Sequence, residues 1–121
     1  MLRVSAKVTN SEVDIQGING DVSNGDLGIK FGVELVAFAQ TIATRDNAGI
    51  AKSRDILANT AGPNVVVDAA GVAANFQRMV RIADAIGIPV DDMTAEISLE
   101  AQRDLNLTRF ASAQNTLGQL N

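Results

Sequence analysis

The stretch from Pro63 to Pro89, PNVVVDAAGVAANFQRMVRIADAIGIP, determines the fold class of this chain. Apolar residues recur along it at spacings of seven, four, three, four and three, the period of one helix face. They are Val65, Val72, Phe76, Met79, Ala83 and Ile86. Pro63 suits a first helical turn, where its missing N–H is not needed, and Gly87 followed by Pro89 ends the helix. The pattern predicts a helix from about Asn64 to Ile86.

Small residues cluster in the first half of this predicted helix. They are Ala69, Ala70, Gly71, Ala73 and Ala74. Because small side chains let a neighbouring helix approach closely, we expect this half of the helix to be covered on more than one side.

Weaker helical patterns lie on either side of the long one. Apolar residues at Phe31, Leu35, Phe38 and Ile42 predict a helix that begins at about Ile29 and ends at Asp46–Gly49. A second, shorter helix is predicted from about Ile50 to Asn59, with Ile56 and Leu57 buried. A last helix is predicted from about Thr94 to Leu105, with Thr94 as its cap and with Leu107 and Phe110 folded back onto the domain.

These elements predict an all-α fold, a single domain of about four helices. Residues 1–28 form an N-terminal segment, in which a short helix starting at Thr9 precedes a loop rich in Gly, Asn and Asp from Gln16 to Gly28. Residues 29–111 form the helical domain. Residues 112–121 are polar, and we expect a loose tail there.

Composition narrows the classes of function. The chain has 121 residues, of which 46% are hydrophobic and 3% aromatic, and its net charge is −4. A nucleic-acid partner is not expected, because there is neither a basic face for phosphates nor a set of aromatic rings for bases. No apolar run approaches the roughly 18 residues of a membrane span, and the N-terminus lacks the core of a signal peptide. With no cysteine in the sequence, we expect a cytoplasmic protein without disulfides.

Three stretches carry a resemblance to a known family. Asn75–Pro89, NFQRMVRIADAIGIP, is similar to the penultimate helix of the carboxymuconolactone decarboxylase / alkylhydroperoxidase D-like superfamily, and more narrowly to its uncharacterised peroxidase-related branch. Leu35–Gln40 followed by Thr44-Arg45-Asp46 resembles a helix of that branch and its closing turn, and Arg103–Ala113 resembles its C-terminal stretch. The resemblance extends from about Val8 to the C-terminal region.

The resemblance implies an all-α fold, assembly into homo-oligomers through helix packing, and peroxide reduction by a Cys-x-x-Cys pair with a nearby His and an upstream Glu. This sequence contains no Cys and no His, so no catalytic residue is carried over. The chain therefore resembles the C-terminal portion of such a domain, truncated or reduced, and no catalytic, cofactor or metal site is assigned to it.

Two groups of residues are candidate sites. The first contains the oxygen ligands that calcium prefers, in Asn19-Gly20-Asp21 and Asn24-Gly25-Asp26 with Asp14 upstream. The spacing of these residues is not that of an EF-hand, and ordinary turn chemistry explains them better. On the long helix, Phe76, Gln77, Arg81 and Asp84 form the family-like motif. If the motif is functional, Gln77 and Arg81 face a pocket. If it is structural, Arg81 and Asp84 form an ion pair or the motif contacts a second copy of the chain.

Two functional expectations follow. The first is a peroxidase-related domain whose family role is peroxide detoxification and which is inactive alone. The second is a non-catalytic helical interaction module that self-associates or pairs with a longer relative.

Overall fold

The computed structural model describes residues 13–19, 27–89 and 96–117. These residues form five α-helices, which we number α1 (Gly32–Thr44), α2 (Asn47–Ala61), α3 (Pro63–Ile86), α4 (Glu96–Asp104) and α5 (Gln114–Leu117). Short 3-10 turns lie at Ile15–Asn19, Leu107–Arg109 and Ala111–Ala113, and no strand occurs in the described ranges. The predicted all-α fold class is confirmed.

The chain divides into two compact units, Met1–Phe76 and Gln77–Asn121. The helix α3 is continuous through the division and contributes residues to both units.

The junction of α1 and α2 lies three residues earlier than the sequence suggested. Arg45 takes a left-handed conformation (φ 57°) that ends α1, and Asp46 is the N-cap of α2. The backbone N–H of Gly49 donates to Asp46 Oδ1 at 3.0 Å, so this carboxylate starts the second helix. The interpretation of Asp46–Gly49 as the end of the first helix was wrong, because the same short polar residues serve both as turn formers and as N-caps.

The packing of α1 against α2 forms the core of the first unit. Phe38 of α1 and Leu57 of α2 are 4% and 0% exposed. The hydroxyl oxygens of Thr41 and Ser53 lie 3.0 Å apart between the two helices. Leu57 is buried as predicted, but the predicted burial of Ile56 is wrong: 45% of this residue is exposed. Adjacent helical positions point about 100° apart, so only one of the two can face α1.

A short N-terminal turn covers one end of this core. Leu27 is buried between Gly17 and Gly32, and a Cβ atom placed on Gly32 would lie 3.1 Å from that of Leu27. The N–H of Asp14 donates to the carbonyl of Leu27 at 3.1 Å. The predicted loop at Gln16–Gly28 is therefore partly wrong, since its first residues belong to the 3-10 turn that ends at Asn19. The predicted helix start at Thr9 lies outside the described residues.

The long helix α3 begins at Pro63, one residue before the predicted start, and ends at Ile86 as predicted. Gly87 adopts φ 64°, its N–H donates to the carbonyl of Asp84 at 3.3 Å, and the N–H of Ile88 donates to the carbonyl of Ala83 at 3.1 Å. These two bonds are those of a Schellman cap, which glycine permits because it has no Cβ.

The expectation that α3 is covered on more than one side is wrong. None of its residues is buried, and it makes only minor contacts with the other described elements. Ala69, Ala70 and Ala73 are half-buried, whereas Gly71 and Ala74 are exposed.

In the second unit, Leu105, directly after α4, and Thr116 of α5 are buried, at 7% and 9% exposed. Leu107 is half-buried, whereas 45% of Phe110 is exposed. The segment expected to be a loose tail contains a 3-10 turn and then α5, so its first six residues, 112–117, are ordered in helical turns. The predicted cap at Thr94 lies outside the described residues.

Candidate functional site

The family-like motif on α3 does not converge on a pocket as a group. Gln77, Arg81 and Asp84 follow one another at i, i+4 and i+7 and so share one side of the helix. Phe76 points about 100° away from Gln77. Gln77 is half-buried, whereas Phe76, Arg81 and Asp84 are exposed.

The spacing of Arg81 and Asp84 suggested an ion pair, and the described part of the chain does not contain it. An ion pair is present instead between Arg54 and Asp55 on α2, where Nε and Oδ1 lie 3.4 Å apart. Both members of that pair are more than half exposed. An exposed pair of this kind contributes little stability.

A cavity of about 280 Å³ lies within the second unit. Of the motif residues only Asp84 lines it, so the pocket-facing interpretation of Gln77 and Arg81 finds no support in this cavity. The remaining described lining residues are small, apolar or neutral polar: Ala83, Ile88, Gln102, Leu107, Thr108, Phe110, Ser112, Ala113, Asn115 and Thr116.

The chemistry available in this cavity is hydrogen bonding and a single negative charge. Asp84 is the one ionisable group among the described lining residues. General acid–base or nucleophilic catalysis needs a second group within hydrogen-bond reach, placed to move a proton. The described lining residues therefore suit holding a small molecule better than transforming one. Sequence reasoning did not find the lining residues on α5 and its preceding turns, because scattered amides and hydroxyls carry no periodic signal.

The calcium hypothesis gains no support. Asp14 Oδ1 accepts the backbone N–H of Gln16 at 2.9 Å, which is a local turn interaction. Most of the Asn-Gly-Asp repeats, Gly20–Asp26, lie outside the described residues. Within the described ranges no group of three or more acidic residues is arranged to hold a metal ion.

The most extensive unusual feature is an apolar stripe along α3. Val72, Phe76, Met79 and Ile86 lie on one side of the helix and are 58%, 60%, 52% and 68% exposed. Val80 and Ile82 flank them and are about half exposed. The sequence identified this periodicity correctly, but a periodic pattern does not show whether a face is covered within its own chain.

None of the described helices combines the length and the apolar character that crossing a bilayer requires. The stripe on α3 is one side of an amphipathic helix, whose other sides carry Arg78, Arg81 and Asp84.

Comparisons with the models of known protein families, with curated proteins and with solved structures find no match for this chain.

Proposed function

We propose that this chain is a non-catalytic helical module that assembles with a second copy of itself through the apolar stripe of α3. The observation that supports this most directly is the exposure of the stripe: a helix of 24 residues has no buried residue, yet it carries large apolar side chains in a regular row. Burial of apolar surface is the dominant favourable term in most protein association. A contiguous apolar surface of this length is typical of an interaction site.

The contrast between α2 and α3 strengthens the proposal. The 15-residue helix α2 buries Leu57 completely and Ser53 almost completely, whereas the longer and more apolar α3 buries nothing. Since an exposed apolar face destabilises a chain in water, a partner that covers the face contributes stability.

We further propose that the chain derives from the peroxidase-related branch of the alkylhydroperoxidase D-like superfamily, acts in the cytoplasm, and reduces no peroxide by itself. The similarity of Asn75–Pro89 to a helix of that branch supports the lineage. The absence of Cys and His supports the lack of turnover, because the thiol chemistry of that family requires both. The family's tendency to form homo-oligomers agrees with the assembly proposed for α3.

A matched pair of variants tests the assembly. Phe76→Glu places a charge in the middle of the stripe, and Ala74→Glu places the same charge at an exposed position on the other side of α3. In sedimentation velocity experiments, we expect Phe76→Glu to shift the chain to the 12.7 kDa monomer, with Ala74→Glu behaving as the unmodified chain. Circular dichroism confirms that both remain helical. Equal sedimentation of the two variants would contradict the proposal.

The proposal that the chain reduces no peroxide by itself is tested by measuring peroxide consumption. A pure, metal-free sample of the chain, incubated with hydrogen peroxide or an organic hydroperoxide and a dithiol reductant, is expected to consume peroxide no faster than buffer with the reductant alone. Robust, saturable turnover would show that the chain carries a peroxidase site of its own.

A further inference from the structure

The stripe on α3 repeats with the period of a coiled coil. From Val65 to Ile86 the apolar positions alternate at spacings of four and three, once Ala69 is included. This is the heptad pattern, with an average period of 3.5 residues, sustained over three repeats. One set of heptad positions holds Val65, Val72, Met79 and Ile86, and the other holds Ala69, Phe76 and Ala83. The sequence thus specifies a seam that suits a second helix.

The exposed apolar surface of the seam and its two flanking residues reaches the low end of what a specific interface requires. At the exposures given above, Val72, Phe76, Met79, Ile86, Val80 and Ile82 present on the order of 600 Å² per copy. A standard specific interface buries roughly 800 Å² per partner. Arg78, Arg81 and Asp84 lie outside the heptad positions of the seam, and Asp68 lies at its edge beside Ala69, so no heptad position of the seam carries a charge.

Side-chain volume decides the direction of the second helix. A parallel pair in register would set Ala69 against Ala69 and Ala83 against Ala83, leaving gaps on either side of a crowded Phe76 layer. In an antiparallel pair with Phe76 level with Met79 of the second copy, Val72 comes level with Ala83 and Ala69 with Ile86. Each large side chain then faces a small one in the outer layers, which fills the seam evenly. The opposed helix dipoles also favour this direction.

We propose that α3 pairs with α3 of a second copy as an antiparallel two-helix seam, in which Phe76 lies level with Met79 and Val72 with Ala83 of the second copy. This inference rests on the proposed function, and it adds the direction and the register of the contact.

The absence of native cysteine makes the register directly measurable by disulfide trapping. Val72→Cys and Ala83→Cys are mixed, allowed to exchange subunits, and oxidised mildly. In the proposed register the two introduced thiols face each other, and we expect a covalent product at twice the 12.7 kDa chain mass on a non-reducing gel. Neither variant alone should form it, because positions 72 and 83 are eleven residues apart along the helix. The identical thiols of the two copies therefore lie about 16 Å apart along the axis. A disulfide tolerates at most about 7 Å between Cα atoms.

The matched control is Ala74→Cys mixed with Ala83→Cys, since Ala74 is exposed on another side of the same helix. Efficient trapping of Val72→Cys by itself would indicate a parallel pair and overturn the inference. No trapping in any mixture, although light scattering shows a dimer, would overturn the register while leaving the proposed assembly intact. Trapping through Ala74→Cys would place the contact on another side of α3 and would overturn both the register and the stripe as the contact surface. A monomeric mass for the unmodified chain would overturn both.

Discussion

Replacing Leu57 with alanine tests whether the α1–α2 contact is the core of the first unit. The side chain is 0% exposed and packs in the same core as Phe38. Truncating a fully buried leucine loses its transfer free energy and leaves a cavity, which together cost about 3 kcal/mol. Ile56→Ala is the matched control on the same helix. Because 45% of Ile56 is already exposed, its truncation is expected to cost about 1 kcal/mol.

The assay is urea denaturation followed by circular dichroism, at one fixed protein concentration so that self-association contributes equally to every sample. We expect the midpoint of Leu57→Ala to fall well below that of Ile56→Ala, with the same slope. Equal losses for the two variants, or a larger loss for Ile56→Ala, would refute the assignment of Leu57 to the core.

Three further predictions concern the helix caps and a buried hydroxyl group, and the effect of each substitution is measured as a change in the free energy of unfolding. Gly87→Ala is expected to destabilise the chain by about 1 kcal/mol, because residue 87 adopts a left-handed conformation. Gly71→Ala, in open space within α3, should instead stabilise the chain by about 0.5–1 kcal/mol. A change of the same sign for both variants would contradict the Schellman cap. Asp46→Ala should cost about 1 kcal/mol through loss of the N-cap, and Asp46→Asn should recover most of it. Ser53→Ala should cost about 1 kcal/mol because its buried hydroxyl contacts Thr41 and donates to the carbonyl of Gly49, and an unchanged midpoint would show that these bonds add nothing.

The bounds of α3 could be predicted from the sequence because each end carries its own chemical signal. Pro63 fits only a first turn, and Gly87 closes the helix by a backbone conformation that other residues adopt at a cost. These signals are local, so neither depends on what packs against the helix.

The junction of α1 and α2 was harder to predict because one residue type serves two purposes. In the sequence interpretation Asp46 opens the turn that ends the first helix, whereas in the structure it begins the second helix, and the hydrogen bond from Gly49 distinguishes the two. Burial of Leu57 and not Ile56 likewise depends on which side of α2 faces α1, and that side is set by tertiary packing.

The candidate site could likewise be predicted only in part. The periodic row on α3 could be identified from the spacing of its residues, but its exposure depends on whether another element packs against it, which periodicity does not encode. The cavity beside Asp84 could not be predicted, because its polar lining residues are scattered over α4, α5 and the turns between them and follow no period.

The most direct test of the central claim is the molar mass of the unmodified chain, measured by multi-angle light scattering across a dilution series. If α3 is a self-association surface, the mass is twice the 12.7 kDa of one chain at high concentration, and it falls only on strong dilution, together with a loss of thermal stability. A mass of one chain at every concentration, from a sample that unfolds cooperatively, would contradict the claim.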